Sequence, residues 1–542
     1  MTRNSADFPI TKLIGDPLEN FYQLGLKDKD RHKVVLDHIN NLIKTPWKSL
    51  DLVAGEVLKQ VLSRTLASSP EFQKNIGAYA EGLSRPTDEV ARGLLTPELL
   101  SFMSRWIPGI PPGLLGCSSY FSWDEDADSP IHARILDFPL LDSYDKEERI
   151  LLTKFKGQPQ ILSYGTHGMP YPGLTAMNSE GVSFALHQKF TERLNSKGTP
   201  IFELVYQFMK EVGDKNSALK FLKANQSLTT WGLNIGFKNG EVLMADISGE
   251  EFYYREFQLE PGKVLYVNNK LENKELDQSK FYPYGFSEFN DLREEVANEK
   301  IKKYLLGKKI TSKNLLATVA TPLDSKKLKS LRPDPATMSS LGISTMNPTT
   351  GEFLFIDGPA PKYFEGSALE VSKVWDTPAV EKIKIKKKEV SSKFKSGFRH
   401  LMQAQVAFDL CKKQDIYHHL QMSIELLDGY KEQALSEFYF LVFQYMEEKH
   451  DKTRSHLLDK FKLLEGKLTP YLEENRKLFI YRLERLTKVG ITIKEEDFLL
   501  ENFKTLFLEE EKIPNFLLYK ATTILLNPRI DMWDIVHAHV KA

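Results

Sequence analysis

Cysteine is almost absent: Cys117 and Cys411 are the only two in 542 residues. Two thiols cannot build a disulfide framework, which suits a reducing compartment. Long apolar runs are missing too, and none approaches the ~20 residues that cross a bilayer. The first residues, Met1 to Pro9, read neither as a signal peptide nor as a lipidation site. A surplus of either charge is also lacking, since Lys plus Arg and Asp plus Glu number 73 each. No global field therefore steers the chain toward nucleic acid or an anionic membrane. These absences predict a soluble, cytoplasmic protein with no nucleic-acid partner and no membrane span. Phosphate-cradling glycine motifs, His-Glu-x-x-His and Gly-x-Ser-x-Gly do not occur, which argues against nucleotide, zinc-protease and serine α/β-hydrolase chemistry. His132, His167 and His187 do not fall at zinc-ligand spacing. Neither a metal nor an organic cofactor is expected.

What is present has an ordinary globular composition, 41% hydrophobic and 27% charged. A chain this long exceeds what one core supports, so two or three domains are expected. Residues 1–116 read as a mainly helical N-terminal segment. Val34-Val35-Leu36, Ile39, Leu42-Ile43 and then Leu52-Val53, Val57-Leu58, Val61-Leu62 recur at helical spacing. The cluster Pro108-Gly109-Ile110-Pro111-Pro112-Gly113 must be loop. From 117 the texture changes to short alternating stretches. Strands are expected at Val182–Leu186, Gly232–Phe237, Glu241–Ile247, Val264–Val267 and Phe353–Ile356, with helices near 201–224 and 286–306. Lys238-Asn239-Gly240 reads as a type I′ hairpin turn, because Asn-Gly accepts positive φ. Strands in hairpins plus helices, without strict βαβ alternation, predict an α+β layered sandwich over 117–380. In 381–395, Ile383 and Ile385 alternate with lysines, as in a solvated last strand running into a linker. An anionic-partner site is the alternative for that stretch. After about 396, the stripes Ile416, Leu420, Ile424, Leu427 and Phe438, Leu441-Val442, Tyr445 predict a C-terminal all-α domain, 396–542. Such a domain offers a surface for a protein partner.

Against this background Gly116-Cys117-Ser118-Ser119 stands out, followed seventeen residues after the cysteine by Arg134 and three further on by Asp137. A free cysteine is most often a small buried hydrophobe, and Cys411 reads that way. Cys117 has different company, and four stretches carry a resemblance. Gly15-Asp16-Pro17-Leu18-Glu19 through Gly25, Gly116-Cys117-Ser118-Ser119, Ala133-Arg134-Ile135-Leu136-Asp137 and Pro172-Gly173-Leu174-Thr175-Ala176-Met177-Asn178-Ser179-Glu180-Gly181 recur in order. Together they resemble the acyl-coenzyme A:6-aminopenicillanic-acid acyltransferase family of N-terminal-nucleophile (Ntn) hydrolases. More distantly they resemble choloylglycine hydrolases and acid-ceramidase-like amidases. Phe21, Ile135 and Asn269 depart from the family pattern, and nothing after about 375 belongs to the resemblance.

The resemblance implies a four-layer αββα sandwich and a self-processing cysteine hydrolase. It would act on linear C–N amide bonds of a small-molecule N-acyl amide, as an amidase or acyltransferase. Cleavage between Gly116 and Cys117 would give Cys117 a free α-amine, a usable base near neutral pH beside its own thiol. Arg134 and Asp137 are carried over as orienting groups, and a structural ion pair is their competing reading. In a regular strand residues three apart face opposite sides, so both reach Cys117 only if the chain bulges between Arg134 and Pro139. Tyr266-Val267-Asn268-Asn269 is a weaker match that makes Asn268 an oxyanion donor, with a turn asparagine as the alternative. His187 lies near a pocket position of bile-salt-type relatives, and Asn178 is a second substrate-binding candidate; structural roles compete for both. The rival overall reading is a catalytically inactive Ntn-like core joined to a helical protein-interaction domain.

Overall fold

A computed structural model describes residues 8–42, 48–106, 116–189, 191, 193–249, 251–271, 284–323, 331–362, 367–386, 390–447, 450–524 and 526–537. The Pro/Gly stretch at 108–113 lies outside the described residues. The chain divides into two units. One comprises 1–281, 294–322 and 334–389, the other 282–293, 323–333 and 390–542.

The first unit opens with β1 (Ile10–Gly15) and helices α1 (Pro17–Asp28), α2 (His32–Asn41), α3 (Lys48–Ser68), α4 (Pro70–Leu83) and α5 (Thr87–Trp106). Asp16 caps α1, its Oδ1 accepting from Glu19 N at 3.0 Å, and Pro17 sits in the first turn, where no N–H is needed. α1 and α4 cross at two glycines. A Cβ on Gly25 would lie 2.3 Å from Tyr79 O and 2.9 Å from Gly82 Cα, so the crossing depends on the missing side chain.

Next come β2 (Ser118–Asp124), β3 (Ser129–Asp137), β4 (Glu148–Phe155), β5 (Ile161–Thr166), β6 (Thr175–Asn178), β7 (Val182–Gln188), α6 (Ile201–Glu211) and α7 (Lys215–Ala224). They are followed by β8 (Thr230–Phe237), β9 (Glu241–Ser248), β10 (Glu251–Gln258), β11 (Val264–Val267), α8 (Tyr284–Tyr304), whose residues 284–293 belong to the second unit, and α9 (Ser312–Val319). Strands β12 (Ser340–Asn347), β13 (Glu352–Ile356), β14 (Ala368–Ser372) and β15 (Ala379–Ile383) close the series.

These strands build an eight-stranded sheet, β1-β4-β5-β6-β7-β8-β9-β10, and a seven-stranded sheet, β11-β2-β3-β12-β13-β14-β15. Neighbours are antiparallel except β1, which runs parallel to β4 with Ile10 opposite Ile150. The N-terminal segment thus supplies an edge strand as well as helices. Ile150, Leu152, Leu162 and Met177 of the first sheet share a core with Met346, Phe353, Phe355 and Leu369 of the second. Two sheets with one buried face each must cover it, and here they cover each other. α6 and α7 pack on β6 and β9 of one sheet, and α9 packs on β3, β12 and β13 of the other.

The β8–β9 turn differs from the type I′ expectation. Asn239 keeps a negative φ and only Gly240 is left-handed, at +82°, with Gly240 N donating to Phe237 O at 2.9 Å. One glycine in the left-handed region after a three-residue loop is the bulged alternative to the two-residue turn.

The second unit contains α10 (Ser392–Asp409), α11 (Lys413–Leu426), α12 (Glu432–Glu447), α13 (Asp451–Lys462), α14 (Pro470–Thr487), α15 (Glu501–Glu511) and α16 (Asn515–Ile524). The expected all-α region needs two corrections. β16 (Leu526–Arg529) and β17 (Asp534–His537) form an antiparallel ribbon. Pro528 cannot continue a helix, and Tyr439 anchors the ribbon, its one hydroxyl proton shared between Arg529 O at 3.1 Å and Asp534 O at 2.9 Å. Cys411, expected as packing, is exposed, because α10 ends at Asp409 and Cys411 turns out at φ +56°. Among the described residues no helix is long and apolar enough to cross a membrane.

Candidate active site

β2 and β3 lie side by side with Ser119 opposite Arg134, and Cys117 immediately precedes β2. Alternation along β3 sends His132 and Arg134 to the same face. That face meets β7 of the other sheet. Arg134 Nη2 donates to Leu186 O at 2.5 Å and lies 2.9 Å from Cys117 Sγ. One guanidinium nitrogen carries two protons, so it can serve both partners. Arg134 and Cys117 are fully buried, and Arg134 Nε and Nη1 have no hydrogen-bond partner among the described residues.

Burial raises the Cys117 thiol pKa above its usual value; the Arg134 charge opposes the rise, and Asp137 adds to it. The thiol is therefore protonated at neutral pH. Asp137 ends β3 and approaches the thiol through its backbone, with Cys117 Sγ 4.0 Å from Asp137 O. Its carboxylate Oδ1 accepts from Ser340 Oγ. The expected bulge between Arg134 and Pro139 falls on the opposite strand instead. Asp137 pairs with Ser340 while Leu136 pairs with Gly342, which leaves Leu341 as the extra residue.

β11 lies against β2, with Val267 opposite Ser119, so Asn268 and Asn269 leave the sheet beside the start of β2. Asn268 Oδ1 accepts from Lys270 N at 3.0 Å, which sets its amide plane. His187 Nδ1 lies 3.2 Å from Asn268 O, and Asn269 Nδ2 donates to Gln188 O at 2.9 Å. This corner is thus tied to β7 at two successive residues.

Asn178 is elsewhere. Its Nδ2 donates to Met209 O at 3.0 Å and Val212 O at 2.8 Å, and its Oδ1 accepts from Glu180 N and Val182 N. Those bonds close the end of α6 and the β6–β7 turn. Two residues at the centre carry no site role in the reading from sequence: Ser119, named only within the cysteine motif, and His132, weighed only as a metal ligand. The period-two pattern His132-Ala133-Arg134 is the signal that would have found the histidine.

The two sides of Gly116 are held together by more than one peptide bond. Asp28 of α1 pairs with Arg149 of β4 at 2.5 Å, both fully buried, and accepts from Tyr79 at 2.6 Å and Gly168 N at 3.1 Å. Glu98 of α5 accepts from Ile201 N at 2.8 Å and Thr229 Oγ1 at 3.0 Å. Among the described residues no group of three or more His, Cys, Asp or Glu side chains is arranged to hold a metal ion.

No protein-family model matches the chain, and no curated protein does. Solved structures similar to it include a Caenorhabditis elegans ortholog of N-acylethanolamine-hydrolyzing acid amidase, at 12% identity and a TM-score of 0.29, over 43% of this chain and 93% of that one. Penicillin V acylase from Agrobacterium tumefaciens aligns at 10% identity and a TM-score of 0.33, over 51% of this chain and 98% of that one. A variant, R18L, of conjugated bile acid hydrolase from Clostridium perfringens aligns at 13% and 0.31, over 51% of this chain and 99% of that one.

Proposed function

We propose that the chain is a self-processing cysteine Ntn hydrolase with an αββα core, acting on the linear C–N amide bond of a small-molecule N-acyl amide. Either water or another amine takes the acyl group. The observation that carries this reading is the single nitrogen of Arg134 that joins Cys117 Sγ, at 2.9 Å, to Leu186 O of the facing sheet. A buried cation beside a buried thiol is an arrangement for stabilising thiolate when its proton leaves.

In the uncut chain the Cys117 nitrogen is an amide and no base. Cys117 Sγ gives up its proton and attacks the Gly116 carbonyl carbon. The C–N bond breaks, the nitrogen takes a proton to become the α-amine, and the Gly116 acyl group moves to sulfur as a thioester. Water cleaves the thioester to a Gly116 carboxylate and a free thiol. From then on the α-amine, with an unperturbed pKa near ~7.7, takes the thiol proton for each attack on substrate. Arg134 holds the thiolate, and Asn268 Nδ2 donates to the oxyanion, a role worth about 3 kcal/mol where such donors have been removed. Asp28–Arg149 and the Glu98 bonds hold residues 1–116 in place after the cut.

Intact mass of the purified protein tests this. The wild type is expected as two associated chains, 1–116 and 117–542, and Cys117→Ala as one inactive chain of 62.2 kDa. A wild type that is uncut yet active as an amidase removes the self-processing mechanism. One that is uncut and inactive favours the interaction-protein reading.

A further inference from the structure

Between the sheets, four buried side chains run in a line toward the Asn268 corner. His132 Nδ1 lies 3.3 Å from Ser183 Oγ and His132 Nε2 lies 3.1 Å from Ser119 Oγ. Ser119 Oγ lies 3.0 Å from His187 Nε2, and His187 Nδ1 lies 3.2 Å from Asn268 O. The far end sets the direction. A carbonyl oxygen only accepts, so His187 Nδ1 carries the proton in that bond. Burial holds His187 well below its usual pKa, with Arg134 and Lys189 adding to the effect; burial and Arg134 do the same for His132. Both rings are therefore neutral at pH 7. His187 Nε2 is then bare and accepts from the Ser119 hydroxyl. That hydroxyl has only one proton, so His132 Nε2 must donate to Ser119 Oγ. His132 Nδ1 is left to accept, and the Ser183 hydroxyl faces it, its single proton shared between His132 Nδ1 and Gly236 O, each 3.3 Å away. Phe121 stacks on the His132 ring at 4.0 Å between centroids and 25° between planes, which resists a ring flip.

We propose that His132, Ser119 and His187 form a one-way hydrogen-bond chain ending on Asn268 O, with Ser183 beside its first ring, and that it holds the Asn268–Asn269 corner beside Cys117. Its role in turnover rests on the hydrolase reading above; its direction does not. Ser119, His132 and His187 are positioning residues, acting on the reaction through Asn268. A chain of aligned donors polarises each next bond, so a break anywhere along it loosens the end.

Histidine-selective 15N labelling of the whole protein tests the direction, because the protonated nitrogen of each ring is distinguishable by its shift and ring couplings. His132→Gln and His187→Asn spectra supply the assignments. Expected are a proton on His132 Nε2 and on His187 Nδ1, with neither ring titrating between about pH 5 and pH 8. A proton on His187 Nε2 or on His132 Nδ1 overturns the chain. The positioning role is read from the rate of Gly116–Cys117 cleavage. Ser119→Ala and His132→Leu should each slow it by roughly tenfold or more, since each leaves a buried polar partner unmatched. His132→Gln, which can still present an N–H to Ser119, should recover most of the rate. Should His132→Leu fail to fold, Ser119→Ala gives the same readout with one oxygen removed. Wild-type rates in Ser119→Ala overturn the positioning role and leave the hydrolase reading intact. A wild type that never cleaves removes the self-processing mechanism, and the tautomers then decide the chain.

Discussion

Replacing Arg134 by methionine would keep much of the side chain's length and remove its charge. The Cys117 thiol is already raised by burial, and the Arg134 cation is the largest influence that works the other way. Without the cation the thiol pKa rises further. Less thiolate then exists at any given pH, and a pKa higher by one leaves about a tenth as much. Arg134→Met is therefore expected to slow self-cleavage at pH 7 by about tenfold or more and to move the rising limb of its pH–rate profile to higher pH. A slower rate with an unmoved profile would leave Arg134 a packing role only. At this scale the sequence names the parts but not their meeting. Cys117, Arg134 and Asp137 are legible as a spaced set. That the Asp137 carbonyl lies 4.0 Å from the thiol, and that the register slips at Leu341 on a strand far along the chain, are not legible there. Asn178 illustrates the converse: its motif is legible, yet its hydrogen bonds all go to a helix end and a turn.

Elements were readable where the signal is local. The β11 strand at Val264–Val267 and the helix pair at 201–211 and 215–224 follow from period and turn residues. β1 was hidden, because a short strand paired in parallel with β4 owes its existence to a partner far along the chain. The contact between α5 and α6 was hidden for the same reason. There, Glu98 accepts from Ile201 N at the start of α6, where a negative charge meets unsatisfied N–H groups and the positive helix end. Burial nevertheless pushes its carboxyl from 4.5 up to about 7, against the hydrogen bonds from Ile201, Thr229 and Trp231. A carboxyl whose pKa is raised on folding binds its proton more tightly in the native state. Its contribution is fully present below about pH 4.5 and is lost as pH rises through about 7. The span corresponds to roughly 3 kcal/mol. Glu98→Gln keeps an acceptor for Ile201 N and offers a donor to Thr229. The variant is expected to gain stability relative to wild type as pH rises from about 4.5 to about 7. Thermal midpoints of both proteins across that range check it; a constant difference would mean that Glu98 stays ionised throughout.

For the whole molecule, the texture change near 396 hides an interleaving that the fold makes plain. Residues 282–293 and 323–333 belong with 390–542, although they precede the lysine-rich stretch by many tens of residues. Both carboxylate oxygens of Glu288 accept from Tyr471 N at 3.1 Å, at the first turn of α14. Phe289 beside it is buried, with the Arg293 guanidinium 5.2 Å from its ring centroid. No local pattern could show this, because each segment is too short to announce its own partner. A cut at 396 would therefore leave α14 its N-cap, Thr469, but separate its first turn from the Glu288 carboxylate. Excised 390–542 is expected to fold with a lowered midpoint, and a synthetic 282–293 peptide should bind it and raise that midpoint. The lost Tyr471 N–H to Glu288 hydrogen bond alone accounts for about 1 kcal/mol, which for a unit of this size is roughly 2–4 °C. Glu288→Ala in the full chain should lower the unfolding midpoint of the helical unit by a similar amount and leave cleavage at Gly116–Cys117 at its wild-type rate. A peptide that neither binds nor stabilises 390–542 would put the domain boundary back at the lysine-rich stretch, as one unbroken helical module.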